Sequence, residues 1–138
     1  MAGALILDSE ALHALAFAGE RAALTRRARA VLRVALEENA LVRVPAPVLA
    51  EVARGPRRSA AVQRVVHGRG IEVIALDASM ARAAGALLER AQLSSAHAVD
   101  AFVVATAMAF GSAVIATGDP RDLTTLAAGQ RRIRILAL

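Results

Sequence analysis

The chain has 138 residues, 57% of them hydrophobic. This length is close to the commonest domain size and leaves room for a sizeable core, so we expect a single domain over residues 1–138. The absence of cysteine excludes disulfides and thiolate metal sites, so a metal ion would be held by oxygen atoms or by one of the 3 histidines. Such ligands favour hard ions such as magnesium or manganese.

The formal net charge is +5, and all 17 basic residues are arginine. A basic surface suits a polyanionic partner, although an alanine-rich chain without lysine also indicates compositional bias of the genome. Only 3 phenylalanines and no tryptophan or tyrosine are available to stack on bases. If the partner is a nucleic acid, contacts to phosphate must therefore dominate.

Two segments bear on where the protein works. The amino-terminal MAGALILDSEAL has no basic region before its short apolar run, so we expect no secretory signal. Residues 101–118 are uncharged and reach the lower length limit of a membrane span, but Gly111 divides them into a helix-like half and a β-branched half. We therefore expect this stretch to be a buried helix followed by a buried strand, without membrane contact. The amino-terminal segment and the absence of cysteine lead us to expect a cytoplasmic protein.

Short apolar runs alternate with segments of helical periodicity along the whole chain. Because the predicted strands are apolar throughout, we expect a three-layer α/β/α fold with a central, mostly parallel sheet of four to five strands. The predicted strands are residues 5–7, 41–44, 71–76, 113–116 and 133–136. The first predicted helix begins at Ser9, the second spans 20–39, the third contains Glu51 and the fourth begins near Arg58. The fifth spans 77–92 with Asp77 as its N-cap, the sixth runs from a Ser94 or Ser95 cap to Gly111, and the last follows Pro120.

Four acids stand in or beside the most apolar segments. Asp8 and Asp119 follow predicted strands, where functional groups of open α/β sheets collect, and Glu51 and Asp100 interrupt apolar helices. At an effective dielectric of about 20, each pair of carboxylates roughly 5 Å apart would cost about 3 kcal/mol. Convergence would thus require proton uptake or a divalent cation, and carboxylate-bound divalent ions are suited to phosphodiester hydrolysis.

Structural roles remain open for some of these residues. Asp8 and Asp119 are also suitable helix N-caps, and Glu51 could pair with Arg54 on the same helix face. Asp122, in the first turn of the final predicted helix, would also suit the helix dipole without any metal. Asp100 has no basic residue three or four positions away, and His97, one turn before it, either tunes that acid or is a structural histidine outside the catalytic set. The arginine clusters could face solvent or bind phosphate. The best candidates for substrate contact lie beside Glu51: Arg54, Arg57 and Arg58.

Four segments, LILDSEAL, PVLAEVARG, VDAFVVATAM and VIATGDPRDL, resemble the four motifs of PIN domains and occur in the order of that family. The resemblance extends from Leu5 to the final strand. It is closest to the VapC-like toxins of type II toxin–antitoxin pairs. In one position the chain differs from the family pattern, because Leu123 stands where an aromatic residue is common after the acid at Asp122.

The resemblance implies a metal-dependent ribonuclease that uses Mg²⁺ or Mn²⁺. It also implies a small antitoxin partner, a homodimer and an RNA substrate. The implied catalytic acids are Asp8, Glu51, Asp100 and Asp119; the implied metal ligands are Asp8, Asp100, Asp119 and Asp122; and the implied supporting hydroxyls are those of Ser9 and Thr117.

Two other functions compete with this one. A PIN fold could bind RNA or protein without turnover, although the complete four-acid set argues against such a module. Strand-end aspartates also occur in phospho-accepting receiver domains, but these use paired acids after the first strand and a late lysine. This chain has Asp8-Ser9-Glu10 and no lysine.

Overall fold

The computed structural model describes residues 3–68 and 70–138; Met1, Ala2 and Arg69, which belong to the predicted domain of 1–138, lie outside the described residues. Five parallel strands form one sheet in the order β3-β2-β1-β4-β5. The predicted parallel sheet is confirmed. Its strands are Ala4–Leu7 (β1), Leu41–Pro45 (β2), Ile71–Ile74 (β3), Ala113–Thr117 (β4) and Ile133–Ala137 (β5).

Helices cover both faces of the sheet, which confirms the three-layer architecture. Helices α1 to α4 contact one another, and helices α5 to α7 form a second mutually contacting group. Crossovers between parallel strands are right-handed. Because the chain moves across the sheet in one direction up to β3 and in the other direction after it, the two groups of helices lie on opposite faces of the sheet. The helices are Ser9–Ala16 (α1), Ala22–Glu37 (α2), Ala46–Val52 (α3), Pro56–Val66 (α4), Ala78–Ala91 (α5), Ala98–Met108 (α6) and Pro120–Leu126 (α7).

The centre of the sheet is the point where the connections diverge. Strands β1 and β4 are neighbours, with Leu7 paired to Ala116, yet β1 continues into α1 on one face and β4 into α7 on the other. A crevice opens beyond the carboxyl ends of parallel strands at such a switch point. The residues that follow β1 and β4 therefore face each other across this crevice.

The core explains why these segments are strands. Residues 4–7 and 113–117 are buried in full, as a strand covered by helices on both faces requires. Helix α6 contributes Ala101, Val103 and Val104 to the same core. The uncharged stretch of residues 101–118 is thus a buried helix and a buried strand, and within the described residues no helix is long and apolar enough to cross a membrane.

Several boundaries differ from the predicted ones by a few residues. Strand β3 stops at Ile74, where pairing with β2 ends at Pro45. Ser94 does not cap α6 directly, because its hydroxyl accepts from the Ala96 amide at 3.2 Å and so caps a 3₁₀ turn, Ser95–His97, that leads into the helix. Local capping bonds and strand pairing decide such limits, and hydrophobic periodicity does not describe them.

Candidate functional site

Asp8 follows β1 and is 4% exposed. Its Oδ1 accepts the Ala11 amide at 2.8 Å, which makes it the N-cap of α1, and its side chain is hydrogen-bonded to Thr117. Burial raises the pKa of Asp8 to about 7; the bonds from Thr117 and Ala11 oppose this rise, whereas the carboxylates of Asp100 and Glu10 add to it. Asp8 is therefore both a helix cap and a carboxyl group that titrates near neutral pH.

Thr117 joins the ends of the two central strands. It is fully buried at the end of β4, and its Oγ1 accepts the Asp119 amide at 2.9 Å while the same side chain bonds Asp8. Asp119 is exposed at the N-cap position of α7, but its side chain makes no capping hydrogen bond. The structure therefore does not show the Asp119 side chain capping α7.

Glu51 is held by a hydrogen bond from a neighbouring helix. The Ser9 hydroxyl donates to Glu51 Oε1 at 2.5 Å, which links α1 to α3. Arg54 lies beyond the end of α3, and its Nε donates back to the Ala50 carbonyl at 3.1 Å. The contacts of Glu51 and Arg54 thus lead away from each other, which disfavours the ion-pair alternative.

Asp100 lies in the first turn of α6, half-buried, with His97 and Asp122 beside it. The Nδ1 atom of His97 is 3.3 Å from Oδ2 of Asp122. One ligand atom from each of these three side chains falls within 4.8 Å of the others. Three elements, the 3₁₀ turn, α6 and α7, therefore bring three potential metal ligands together.

The predicted acids act on one another electrostatically around Asp100. Burial raises the pKa of Asp100, and the carboxylates of Glu51, Asp122 and Asp119 raise it further, whereas His97 opposes this rise; Asp100 in turn raises the pKa of Asp8. The structure thus gathers the five predicted acids at one edge of the sheet. Of these acids, only Asp100 and Asp122 belong to the group whose ligand atoms lie within 4.8 Å of one another, and Asp8 and Asp119 lie outside that group.

This donor set fits a divalent cation. Carboxyl groups whose charge is disfavoured by burial and by one another are stabilised as anions by a bound cation. Oxygen donors are what Mg²⁺ and Mn²⁺ prefer, and the His97 imidazole is a donor that first-row transition ions accept more readily.

Sequence reasoning missed part of this neighbourhood. Glu10 acts on the pKa of Asp8, is ion-paired with Arg21, and lies so close to Gly118 that a side chain there would meet it. Its position two residues after Asp8, in the first turn of a helix, was the available signal. His97 had a signal in its spacing from Asp100, but its contact with Asp122 arises only in the folded chain.

A groove of about 230 Å³ opens beside the carboxylates, lined by residues of α1 and α3 that include Ser9 and Glu51. Of the arginines predicted to contact substrate, Arg58 is engaged elsewhere: its guanidinium lies 4.7 Å from the Phe17 ring centroid and 3.4 Å from Glu20. Arg57 is exposed. Within the predicted cluster, Arg57 is thus the arginine with the fewest protein contacts among the described residues.

Comparisons with known proteins agree with the fold. The family model for the PIN domain matches residues 5–128, and the chain therefore belongs to the PIN-domain family. A solved structure of VapBC2 from Rickettsia felis, bound to a DNA fragment from its promoter, is similar in fold: the TM-score is 0.68 at 12% identity, with 98% of each chain covered. Comparison with curated protein sequences gives no match.

Proposed function

We propose that this protein is a metal-dependent ribonuclease, the VapC-like toxin of a toxin–antitoxin pair. The observation that carries the proposal is the grouping of Asp100 with four other acids at the carboxyl edge of a PIN-domain sheet. The burial of Asp8 and Asp100 and the repulsion from the neighbouring carboxylates favour a divalent cation, and such a site suits the hydrolysis of a phosphodiester.

In this proposal Asp8, Asp100, Asp119 and Asp122 hold Mg²⁺ or Mn²⁺. When bound, the ion supplies charge neutralisation for the scissile phosphate and lowers the pKa of the attacking water. Thr117 fixes the positions of Asp8 and Asp119 through its two hydrogen bonds.

Glu51 is proposed as the base. The Ser9 hydroxyl occupies its Oε1, which leaves Oε2 to accept a proton from the attacking water. The water oxygen bonds to phosphorus, the bond from phosphorus to the 3′ oxygen breaks, and the departing 3′ oxygen takes a proton from solvent, so the products carry a 5′-phosphate and a 3′-hydroxyl.

The substrate is proposed to be RNA held mainly by its phosphates. The chain carries a net charge of +5, and Arg57 is exposed on α4 close in sequence to Glu51. Few aromatic side chains are available for stacking. Electrostatic contact with the backbone would make binding strongly dependent on salt.

The partners and location follow from the same proposal. The similar Rickettsia felis structure is of a VapBC2 complex with promoter DNA. We propose for this chain a small antitoxin that blocks the acidic crevice, a homodimer of the toxin, and a cytoplasmic site of action.

The test is cleavage of an RNA pool by purified protein, with Mg²⁺, with Mn²⁺ and with EDTA, and with the fragment ends sequenced. The Asp100→Asn variant should lose cleavage by at least about a hundredfold, because the site loses a charged ligand at its centre. Asp77→Asn is the matched control, since Asp77 is an exposed N-cap on α5 that bonds the Met80 amide at 2.8 Å.

The outcomes separate the two functions that the fold allows. Metal-dependent cleavage that is lost in Asp100→Asn and kept in Asp77→Asn supports the nuclease. Equal cleavage by both variants would indicate a contaminant and remove the proposal. RNA that is bound but left intact in both metals would favour a non-catalytic PIN-fold binding module.

A further inference from the structure

His97 is a residue of the metal-binding crevice that sequence reasoning left outside the site. It ends the 3₁₀ turn before α6 and is half-buried, with 32% of its side chain exposed against 34% for Asp122. Its Nδ1 faces Asp122 Oδ2, and both residues lie within 4.8 Å of a carboxylate oxygen of Asp100 when one ligand atom is taken from each.

The spacing of these atoms matches ligands that share one cation. Two neighbouring ligands of an octahedral ion, each about 2.1 Å from it, lie about 3.0 Å apart, and two opposite ligands lie about 4.2 Å apart. The 3.3 Å between His97 and Asp122 is close to the neighbouring distance, and the 4.8 Å limit of the group slightly exceeds the opposite one. Shortening the widest separation from 4.8 Å to about 4.2 Å would close the group on an ion.

The chemistry of the group favours an imidazole ligand at this point. The crevice already concentrates the carboxylates of Glu51, Asp100, Asp119 and Asp122, whose mutual repulsion is shown by their effect on Asp100. A neutral nitrogen donor adds a ligand without adding negative charge. Imidazole nitrogen is accepted by first-row transition ions more readily than by Mg²⁺, which strongly prefers oxygen.

We propose that His97 is a direct nitrogen ligand of the catalytic ion, together with Asp100 and Asp122, and that it makes the site select Mn²⁺ over Mg²⁺. The inference rests on the proposed metal-dependent function, but it concerns the identity of one ligand and of the ion. The competing role for His97 is an ion pair with Asp122 that contacts no metal.

The decisive measurement is electron spin echo envelope modulation of Mn²⁺ bound to the purified protein, which detects ¹⁴N nuclei of coordinated imidazole. Calorimetric titrations with Mn²⁺ and Mg²⁺ accompany it. The variants are His97→Ala and His97→Gln, the second keeping a polar side chain in case the first disturbs the fold. His13→Ala is the matched control, because His13 is also half-buried and lies 2.9 Å from one acid, Glu20.

We expect ¹⁴N modulation in the wild type and in His13→Ala, and its loss in both His97 variants. Affinity for Mn²⁺ should fall about tenfold or more in those variants, and affinity for Mg²⁺ by less than about threefold. Bound Mn²⁺ without ¹⁴N modulation in the wild type overturns the proposal, as does equal weakening of both ions or a wild type that binds no Mn²⁺.

RNA cleavage measured on the same samples separates this inference from the proposed function. Metal-dependent cleavage without nitrogen coordination would support the proposed ribonuclease activity and contradict the proposed role of His97. Nitrogen coordination without any cleavage would identify His97 as a metal ligand and contradict the proposed ribonuclease activity.

Discussion

At the scale of single residues, the burial of Asp8 is the feature with the clearest energetic effect. Its pKa of about 7 in the folded chain stands above the ordinary value of 3.8. Between these values the folded state binds more protons than the unfolded state, so the metal-free protein loses stability as pH rises from about 4 to about 7. Below about pH 4 Asp8 is protonated in both states and the folded protein keeps this stability, whereas above about pH 7 this stability is fully lost.

Asp8→Asn should remove this dependence. Asparagine caps a helix as well as aspartate does and can still accept the Ala11 amide, but it does not ionise. In EDTA the variant should therefore be more stable than the wild type at pH 8, by at most about 4 kcal/mol, and similar to it near pH 4. The measurement is the urea midpoint at pH 4, 6 and 8.

Asp77→Asn serves as control for this experiment too, since Asp77 caps α5 with a bond of the same 2.8 Å length but is exposed. Its profile should follow the wild type at every pH. If the Asp8→Asn and wild-type profiles run parallel, the carboxyl group is not disfavoured by burial.

The acids of the candidate site could be singled out in the sequence because their signal is local. An acid that interrupts an apolar run, such as Asp8 or Asp100, is visible without any knowledge of distant residues. The contact between His97 and Asp122 joins positions 25 residues apart, whose separation is set by how α6 and α7 pack on the sheet. No spacing in the sequence encodes that distance.

At the scale of elements, α2 carries a ridge of arginines, defined as Arg26, Arg29 and Arg33, that line a shallow groove of about 330 Å³. All three are exposed, and their spacing places them on one helix face. Leu24, near the start of α2, lies against Gly118 at the carboxyl edge of the sheet, and Leu36, near its end, lies against Gly70. The arginine ridge therefore leads from the carboxyl edge of the sheet, where the candidate site lies, along the side of the molecule.

We expect this arginine ridge to hold RNA phosphates beyond the scissile bond. Arg26→Gln with Arg29→Gln, made in an Asp100→Asn background to prevent cleavage, should weaken RNA binding several-fold and reduce the slope of log affinity against log salt by about 1 to 2. Fluorescence anisotropy at several salt concentrations measures both quantities.

The matched control removes the same charge from the opposite edge. Arg131 and Arg132 are exposed and precede β5, next to the start of β4, where the Ala113 amide donates to the Arg132 carbonyl. Arg131→Gln with Arg132→Gln should leave the salt slope nearly unchanged. An equal loss in both double variants would mean that net charge, and not the arginine ridge, governs binding.

The type and order of the elements were predictable, whereas their ends were less so. Helix α2 runs over Ala22–Glu37 inside the predicted 20–39, and β3 is two residues shorter than predicted. The left-handed backbone of Asn39, with a φ of 57°, and the end of pairing at Pro45 set these limits. Both depend on backbone geometry that composition does not specify.

At the scale of the whole molecule, the alternation of strands and helices predicted a parallel three-layer fold, but the strand order needed the structure. Several orders satisfy the same pattern of buried strands. The observed order places β1 beside β4, which brings the ends of the first and fourth predicted strands together. The convergence of Asp8 and Asp119 is thus a property of the topology, to which residues far outside the site contribute.

The crevice also lies on the seam between the two helical layers. Asp8 caps α1 in one layer, and Asp100 and Asp122 belong to α6 and α7 in the other. An ion bound across this seam would hold the two layers together: at a concentration one hundred times its dissociation constant it should raise the free energy of unfolding by about 2.7 kcal/mol. Hydrogen exchange should then slow in α1 as well as in α6 and α7, and slowing in one layer alone would place the ion off the seam. The metal-free protein would accordingly be cut more readily by a protease, so the ion proposed for RNA cleavage would also govern how long the protein survives.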